Sequence, residues 1–120
     1  MNTRLFYTAS KTEHAHMWQK LRDSEGYLVT STWIDQTGDD EPDDYSELAE
    51  RCVRDIVAAD FLLLYVELGE IHKGSLMEVG IALAHGKEIR CVGWCDSFGR
   101  VFHHHPLWKR YDTVDDAING

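Results

Sequence analysis

The chain has 120 residues, 43% hydrophobic and 28% charged, with a formal net charge of −9. That length fits a single domain over residues 1–120 and leaves no room for two, and the apolar content is too high for a disordered chain. The acidic balance, densest from Asp35 to Glu50, argues against duplex DNA or RNA as a partner, and the longest apolar run, Phe61 to Val66, is far too short to span a bilayer.

Arg4–Thr8 reads as a first strand. Ser10-Lys-Thr-Glu13 has the form of a capping box and opens a helix to about Asp23, with Gly26 ending the unit. Tyr27–Trp33 is β-branched and aromatic, which predicts a second strand. Gln36 to Asp43 is a polar loop with Gly and Pro. From Asp44 to Asp60, the apolar residues Leu48, Ala49, Cys52, Val53, Ile56 and Val57 repeat at helical spacing. Phe61–Val66 is a continuous apolar run, as expected of a central strand covered on both faces. A loop from Gly69 to Gly74 leads into a helix over Ser75–His85, closed by Gly86 in a left-handed conformation. Ile89–Trp94 is a further strand, Cys95–Pro106 is irregular, and a short strand near Lys109–Tyr111 precedes a small helix from Thr113.

This alternation predicts an α/β fold of the flavodoxin-like (Rossmannoid) kind, a doubly wound sheet of about five parallel strands with helices on both faces. Ligands of such sheets lie beyond the C-terminal strand ends. That rule points to Ala9–Thr12, Thr32–Asp35, Glu67–Glu78 and Trp94–Ser97. The three cysteines, Cys52, Cys91 and Cys95, form an odd set without a secretory leader, so no disulfide framework is expected and the cytoplasm is the expected compartment.

Glu78 is the most informative titratable residue. It stands early in a helix that follows a central strand, and Gly80, Ala82 and Ala84 let that helix approach the sheet. Two readings of it stay open. Ser75-Leu-Met-Glu78 fits a capping box, in which the glutamate merely returns to the cap amide, and the same pattern occurs at Ser10–Glu13 and Thr113–Asp116. Alternatively, the carboxylate faces a ligand. Asp60, at a helix-to-strand junction, is expected to satisfy backbone amides in a turn. His103, His104 and His105 cannot all face one ion in an extended chain, so no metal site is expected there. Trp18 and Trp108 read as packing residues, whereas Trp33 and Trp94 stand where a base could stack.

Gly74–Lys87, preceded by Ala59-Asp-Phe-Leu-Leu-Leu-Tyr-Val66, resembles the strand, loop, glycine, E-x-G-x-A helix and glycine-lysine segment of the nucleoside 2-deoxyribosyltransferase family. Leu5-Phe-Tyr-Thr-Ala-Ser10 is similar to that family's opening strand and turn. His105-Pro-Leu107 with Val114-Asp-Asp-Ala117 looks like its short phage and prophage members. The resemblance implies cleavage or transfer at the N-glycosidic bond of a (2-deoxy)nucleoside or nucleotide, with Glu78 as nucleophile and no cofactor. It implies substrate contacts from Phe6 or the adjacent Tyr7, and from Ser10, His72, Gly74 and Ser75, to which Trp33 is added from its place at a predicted strand end. It further implies a small-molecule nucleoside or nucleotide as partner and assembly as a homodimer or larger homo-oligomer. The sequence departs from the family pattern at several positions. An expected aspartate falls on Cys52, with Asp55 one turn later as its substitute, an expected tyrosine falls on Phe6, and a loop glycine falls on Leu76. A non-catalytic nucleotide sensor on the same scaffold, or cleavage of the N-glycosidic bond of NAD or ADP-ribose, are the competing readings.

Overall fold

The structure, a computed structural model, describes residues 4–36 and 44–120. The polar loop expected over Gln36–Asp43 lies almost wholly outside the described residues. Four parallel strands form one sheet in the order β1 (Phe6–Ala9), β2 (Phe61–Tyr65), β3 (Glu88–Val92) and β4 (Trp108–Tyr111). The helices are α1 (Ala15–Asp23), α2 (Tyr45–Ala58), α3 (Gly74–Ala84), α4 (Gly99–His103) and α5 (Val114–Asn119). The α/β alternation read from the sequence is present. The strand count is lower than expected by one, and the segment expected to be irregular contains α4.

The missing strand has a local cause. Val29 makes one parallel bridge to Phe6. Phe6 donates its N–H to Leu28 O at 3.0 Å, and Thr30 donates to Phe6 O at 2.8 Å. The next rung would use the N–H and C=O of Thr8, because alternate residues of a strand present their backbone groups to the same edge. Both are already taken by side chains: Thr8 N donates to Ser31 Oγ at 3.2 Å, and Trp33 Nε1 donates to Thr8 O at 2.8 Å. The chain leaves the edge there and turns into a 3₁₀ helix at Thr32–Asp35. The segment still occupies the place of a strand beside β1, so the layout remains that of a doubly wound, Rossmann-like sheet.

Phe61, Leu62, Leu63 and Leu64 are each at most 1% exposed, as a strand covered on both faces demands. One face of the sheet carries Phe6, Phe61, Tyr65 and Arg90 and is covered by α1 and α5. Trp18 of α1 meets the Tyr65 ring at a 6.1 Å centroid distance. Arg90 is buried, lies 4.0 Å from the Phe61 ring centroid and donates to Ala117 O and Ile118 O. It thereby satisfies carbonyls near the end of α5 that have no partner within that short helix. The other face carries Tyr7, Leu62, Leu64, Ile89 and Cys91 and is covered by α2 and α3.

In α2, Asp44 caps the first turn by accepting from Ser46 N and Glu47 N. Ile56 is buried and Leu48 and Cys52 are partly so, while Val53 and Val57 are 39% and 43% exposed. One helix face alone reaches the sheet, so the second residue of each apolar pair points outward. Gly86 closes α3 with φ 72°, the left-handed conformation expected there. Gly93 is a tighter requirement: φ is 103°, and a Cβ would stand 2.3 Å from Val66 O. Only glycine lets the chain leave β3 so close to the exit of β2.

Candidate active site

The site forms where α3 passes over β1. The helix begins at Gly74, with Lys73 before it making no side-chain cap, so Glu78 is its fifth residue. From there its carboxylate does not return to the cap amide. It instead accepts a hydrogen bond at Oε2 from the hydroxyl of Tyr7, on the strand beneath. The capping-box form of Ser75–Glu78 is therefore not realised. At Ser10–Glu13 it is not realised either, because Ser10 Oγ accepts from Trp18 Nε1 at 2.9 Å and donates to Lys11 O at 2.9 Å. At Thr113, by contrast, the side chain does accept from Asp116 N at 3.1 Å.

Tyr7 is fully buried and Glu78 is partly so. Burial pushes the Glu78 carboxyl up to about 7, against the Tyr7 hydrogen bond, which favours the ionised form. Burial, then the nearby Glu78 and Cys52, hold the Tyr7 hydroxyl far above its usual range, so it stays a donor. Cys52 of α2 is the third member. Its half-buried thiol is pushed up by burial and pulled back by a hydrogen bond with Tyr7, with Glu78 and Asp55 close enough to disfavour a thiolate. Gly74 lies beside the carboxylate: a Cβ there would make ordinary contact with Glu78 Oε1 at 3.9 Å. Glu78 Oε1 carries no hydrogen bond among the described residues. The arrangement is a carboxyl group that burial pushes up to about 7, with one oxygen held by a phenol and the other without a hydrogen bond among the described residues.

Glu78, Tyr7, Gly74 and Cys52 are thus brought together. Ser75 is buried in the first turn of α3 beside them. Phe6 is not brought there. Successive strand residues face opposite ways, and Phe6 stacks on Phe61 at 5.4 Å on the far side of the sheet, which leaves the tyrosine role to Tyr7. Asp55 spends its carboxylate on the 3₁₀ turn, accepting at Oδ2 from Thr32 N at 3.0 Å and Thr32 Oγ1 at 2.7 Å. Trp33 is 8% exposed, with its indole N–H committed to Thr8. His72 is buried and turned toward Glu70 and Phe98; burial lowers its tendency to protonate. Asp60 serves the turn: Oδ2 accepts from Leu5 N at 2.8 Å, at the opposite end of the strands.

The three consecutive histidines diverge. His103 Nε2 meets Cys95 O at 3.1 Å while its ring stacks on Trp94, His104 Nδ1 meets Arg100 O at 2.7 Å, and His105 Nδ1 accepts from Leu107 N at 3.0 Å. Trp18 and Trp108 are buried, and Trp94 is 38% exposed. Cys52, Cys91 and Cys95 are free thiols. No helix among the described residues is long and apolar enough to cross a membrane. Sequence spacing gave no sign of a group of possible metal ligands, Glu13, His14 and Glu70, because its members lie far apart in the chain.

No protein-family model and no curated protein matches the chain. Among solved structures, it is similar to the CMP N-glycosidase BcmB of Clostridium botulinum, with a TM-score of 0.60 and 14% identity over 97% of this chain and 95% of that one. The likeness spans nearly the whole of both chains, and at this identity what the two share is the fold.

Proposed function

We propose that the chain cleaves the N-glycosidic bond of a nucleoside or nucleotide, with Glu78 as the nucleophile. The observation that carries this reading is the Glu78 carboxylate itself, partly buried between α3 and β1 and held at Oε2 by Tyr7. In this reading Oε1 attacks the anomeric carbon as the bond to the base nitrogen breaks. The bond's electron pair leaves with the base, which takes up a proton. Water then hydrolyses the glycosyl ester and regenerates the carboxylate. A 2-deoxyribose suits the resemblance to the deoxyribosyltransferases, and a second base in place of water would give transfer.

Tyr7 has two tasks in this scheme. Its hydrogen bond keeps part of the carboxylate ionised against burial, and it fixes which oxygen attacks. The fold shared with an enzyme described as a CMP N-glycosidase supports a nucleoside monophosphate as a substrate to test. Asp55 would supply the proton to the leaving base only by releasing Thr32. Cys52, where the resemblance expects an aspartate, favours a second reading, a non-catalytic nucleotide sensor, because its thiol is held neutral beside Glu78.

The test is release of free base from 2′-deoxynucleosides, their 5′-monophosphates, CMP and NAD, with Glu78→Gln alongside. Release that vanishes in Glu78→Gln supports the enzyme reading and names the substrate class. Binding of a nucleotide without release of base from any of them would leave the sensor.

A further inference from the structure

A carboxylate carried into a protein interior is normally met by a cation. Glu78 is met by a neutral phenol instead: burial and the Tyr7 hydrogen bond alone govern its protonation. The lysines and arginine closest to it in the chain or on α2 are engaged elsewhere or face solvent. Arg51 lies 3.8 Å from Glu47, Lys11 Nζ donates to Ile71 O at 3.1 Å, and Lys73 is exposed. Residues 1–3 and 37–43, outside the described structure, contain no lysine, arginine or histidine, and the whole chain carries a net charge of −9. A positive charge opposite Glu78 is therefore left for a bound molecule to bring.

The protons of the cluster are committed as well. Tyr7 gives its proton to Glu78, and burial holds that hydroxyl far above its usual range. Burial likewise pushes the Cys52 thiol up, which makes it a weaker acid than an ordinary thiol. Asp55, one turn further along α2, is a carboxylate accepting from Thr32 N and Thr32 Oγ1. Among the described residues, the side chains that β1 and α2 bring to Glu78 thus include no acid matched to a departing base. The base of an uncharged nucleoside departs as an anion unless it is protonated, and a positioned acid is typically worth about 10²–10⁴-fold in rate.

We infer that the substrates of this site are nucleosides or nucleotides whose base already carries a positive charge, as in a pyridinium or an N7-alkylated purine. The inference rests on the N-glycosidase reading and narrows it. The Glu78 carboxylate forms its bond to the anomeric carbon while the bond to the base nitrogen breaks. That bond's electron pair stays on the base and cancels its charge, so the base leaves neutral and takes no proton. Water then opens the glycosyl ester, its hydroxyl going to the anomeric carbon and its proton to solvent, and the carboxylate is restored. Before reaction, the cationic base faces Glu78 as the counter-charge that the chain itself does not supply.

The experiment is base release by the full chain from two matched pairs, each differing in the charge of the base: 7-methylguanosine 5′-monophosphate against guanosine 5′-monophosphate, and oxidised against reduced nicotinamide mononucleotide. In at least one pair, kcat/KM for the cationic member should exceed that for the neutral member by at least about a hundredfold, the factor a missing acid costs. Which pair responds tells an alkylated purine from a pyridinium. For the cleaved cation, activity should rise with pH through the Glu78 pKa and stay level above it, because no second group must hold a proton. A ratio below a hundredfold in both pairs, or release from the neutral members alone, would overturn the inference and leave the N-glycosidase reading standing. Release from none of these four nor from 2′-deoxynucleosides, their monophosphates, CMP or NAD would sink both.

Discussion

Replacing Tyr7 by Phe keeps the buried ring and removes one hydrogen bond, the one to Glu78 Oε2. Burial already pushes the Glu78 carboxyl up to about 7, and the Tyr7 donation is what opposes that push. A hydrogen bond to a charged group is worth about 1.5–3 kcal/mol, and one pKa unit corresponds to about 1.4 kcal/mol. Removing it should therefore raise the Glu78 pKa by about 1–2 units. In the proposed reaction Glu78 acts as the carboxylate, so activity would be lost as pH falls through the Glu78 pKa and restored above it. Tyr7→Phe should move this acidic limb of the profile to higher pH, cutting kcat/KM at pH 7 by roughly tenfold and giving much of it back near pH 9. The assay is base release against pH for both proteins. An acidic limb that stays in place, or moves to lower pH, would refute the assignment of Tyr7 as the group that keeps Glu78 ionised.

Glu78→Gln should be more stable than the parent at pH 8. The folded-state pKa lies above the ordinary 4.5, so stability present below that value is lost as pH rises through about 7. The difference should reach at most about 3 kcal/mol at pH 8 and vanish near pH 4.5. Urea melts at the two pH values measure it, and a variant no more stable than the parent at pH 8 would contradict a carboxylate strained by burial. Asp55→Asn loses a charged acceptor of two Thr32 hydrogen bonds and should cost about 1–2 kcal/mol, read from the shift in urea midpoint. Gly93→Ala meets both a forbidden φ and Val66 O, and should lose at least about 3 kcal/mol or fail to fold, as followed by circular dichroism on heating.

What the sequence reveals is what local pattern dictates. The run Phe61–Leu64 reads as a buried strand because every residue must be apolar when both faces are covered, and it is one. Gly86 reads as a helix stop because few other residues adopt its φ. Misreadings arise where a side chain outcompetes the backbone. The β-branched stretch Tyr27–Trp33 has strand propensity throughout, but Ser31 and Trp33 reach across and take the next rung's partners. Glu78 shows the same limit from the other side. Its spacing from Ser75 suits a cap, yet the helix starts one residue earlier and the carboxylate turns to a tyrosine seventy-one positions away in the chain. Choosing Tyr7 over Phe6 depends on which way β1 is rotated, and a strand buried on both faces gives no alternation from which to read that. The pairing of His14 with Glu70 spans fifty-six positions and leaves no local trace.

The side chains that end the pairing beside β1 also govern how the molecule behaves in a crowd. A sheet whose middle strand reads FLLLY carries a segment of the kind that recruits other chains when left open. Here that strand is enclosed by β1 and β3, and the two flanks of the sheet are blunted differently. On the β1 flank, the free N–H and C=O of Thr8 are already occupied by Ser31 and Trp33, so an incoming strand finds no donor or acceptor there. On the β4 flank, Lys109 and Arg110 place like charges along a strand of only four residues. A strand cut short beside β1 thus leaves this fold with little edge on which a neighbour's chain could template, and should keep it monodisperse at concentrations where a longer exposed strand would seed fibres.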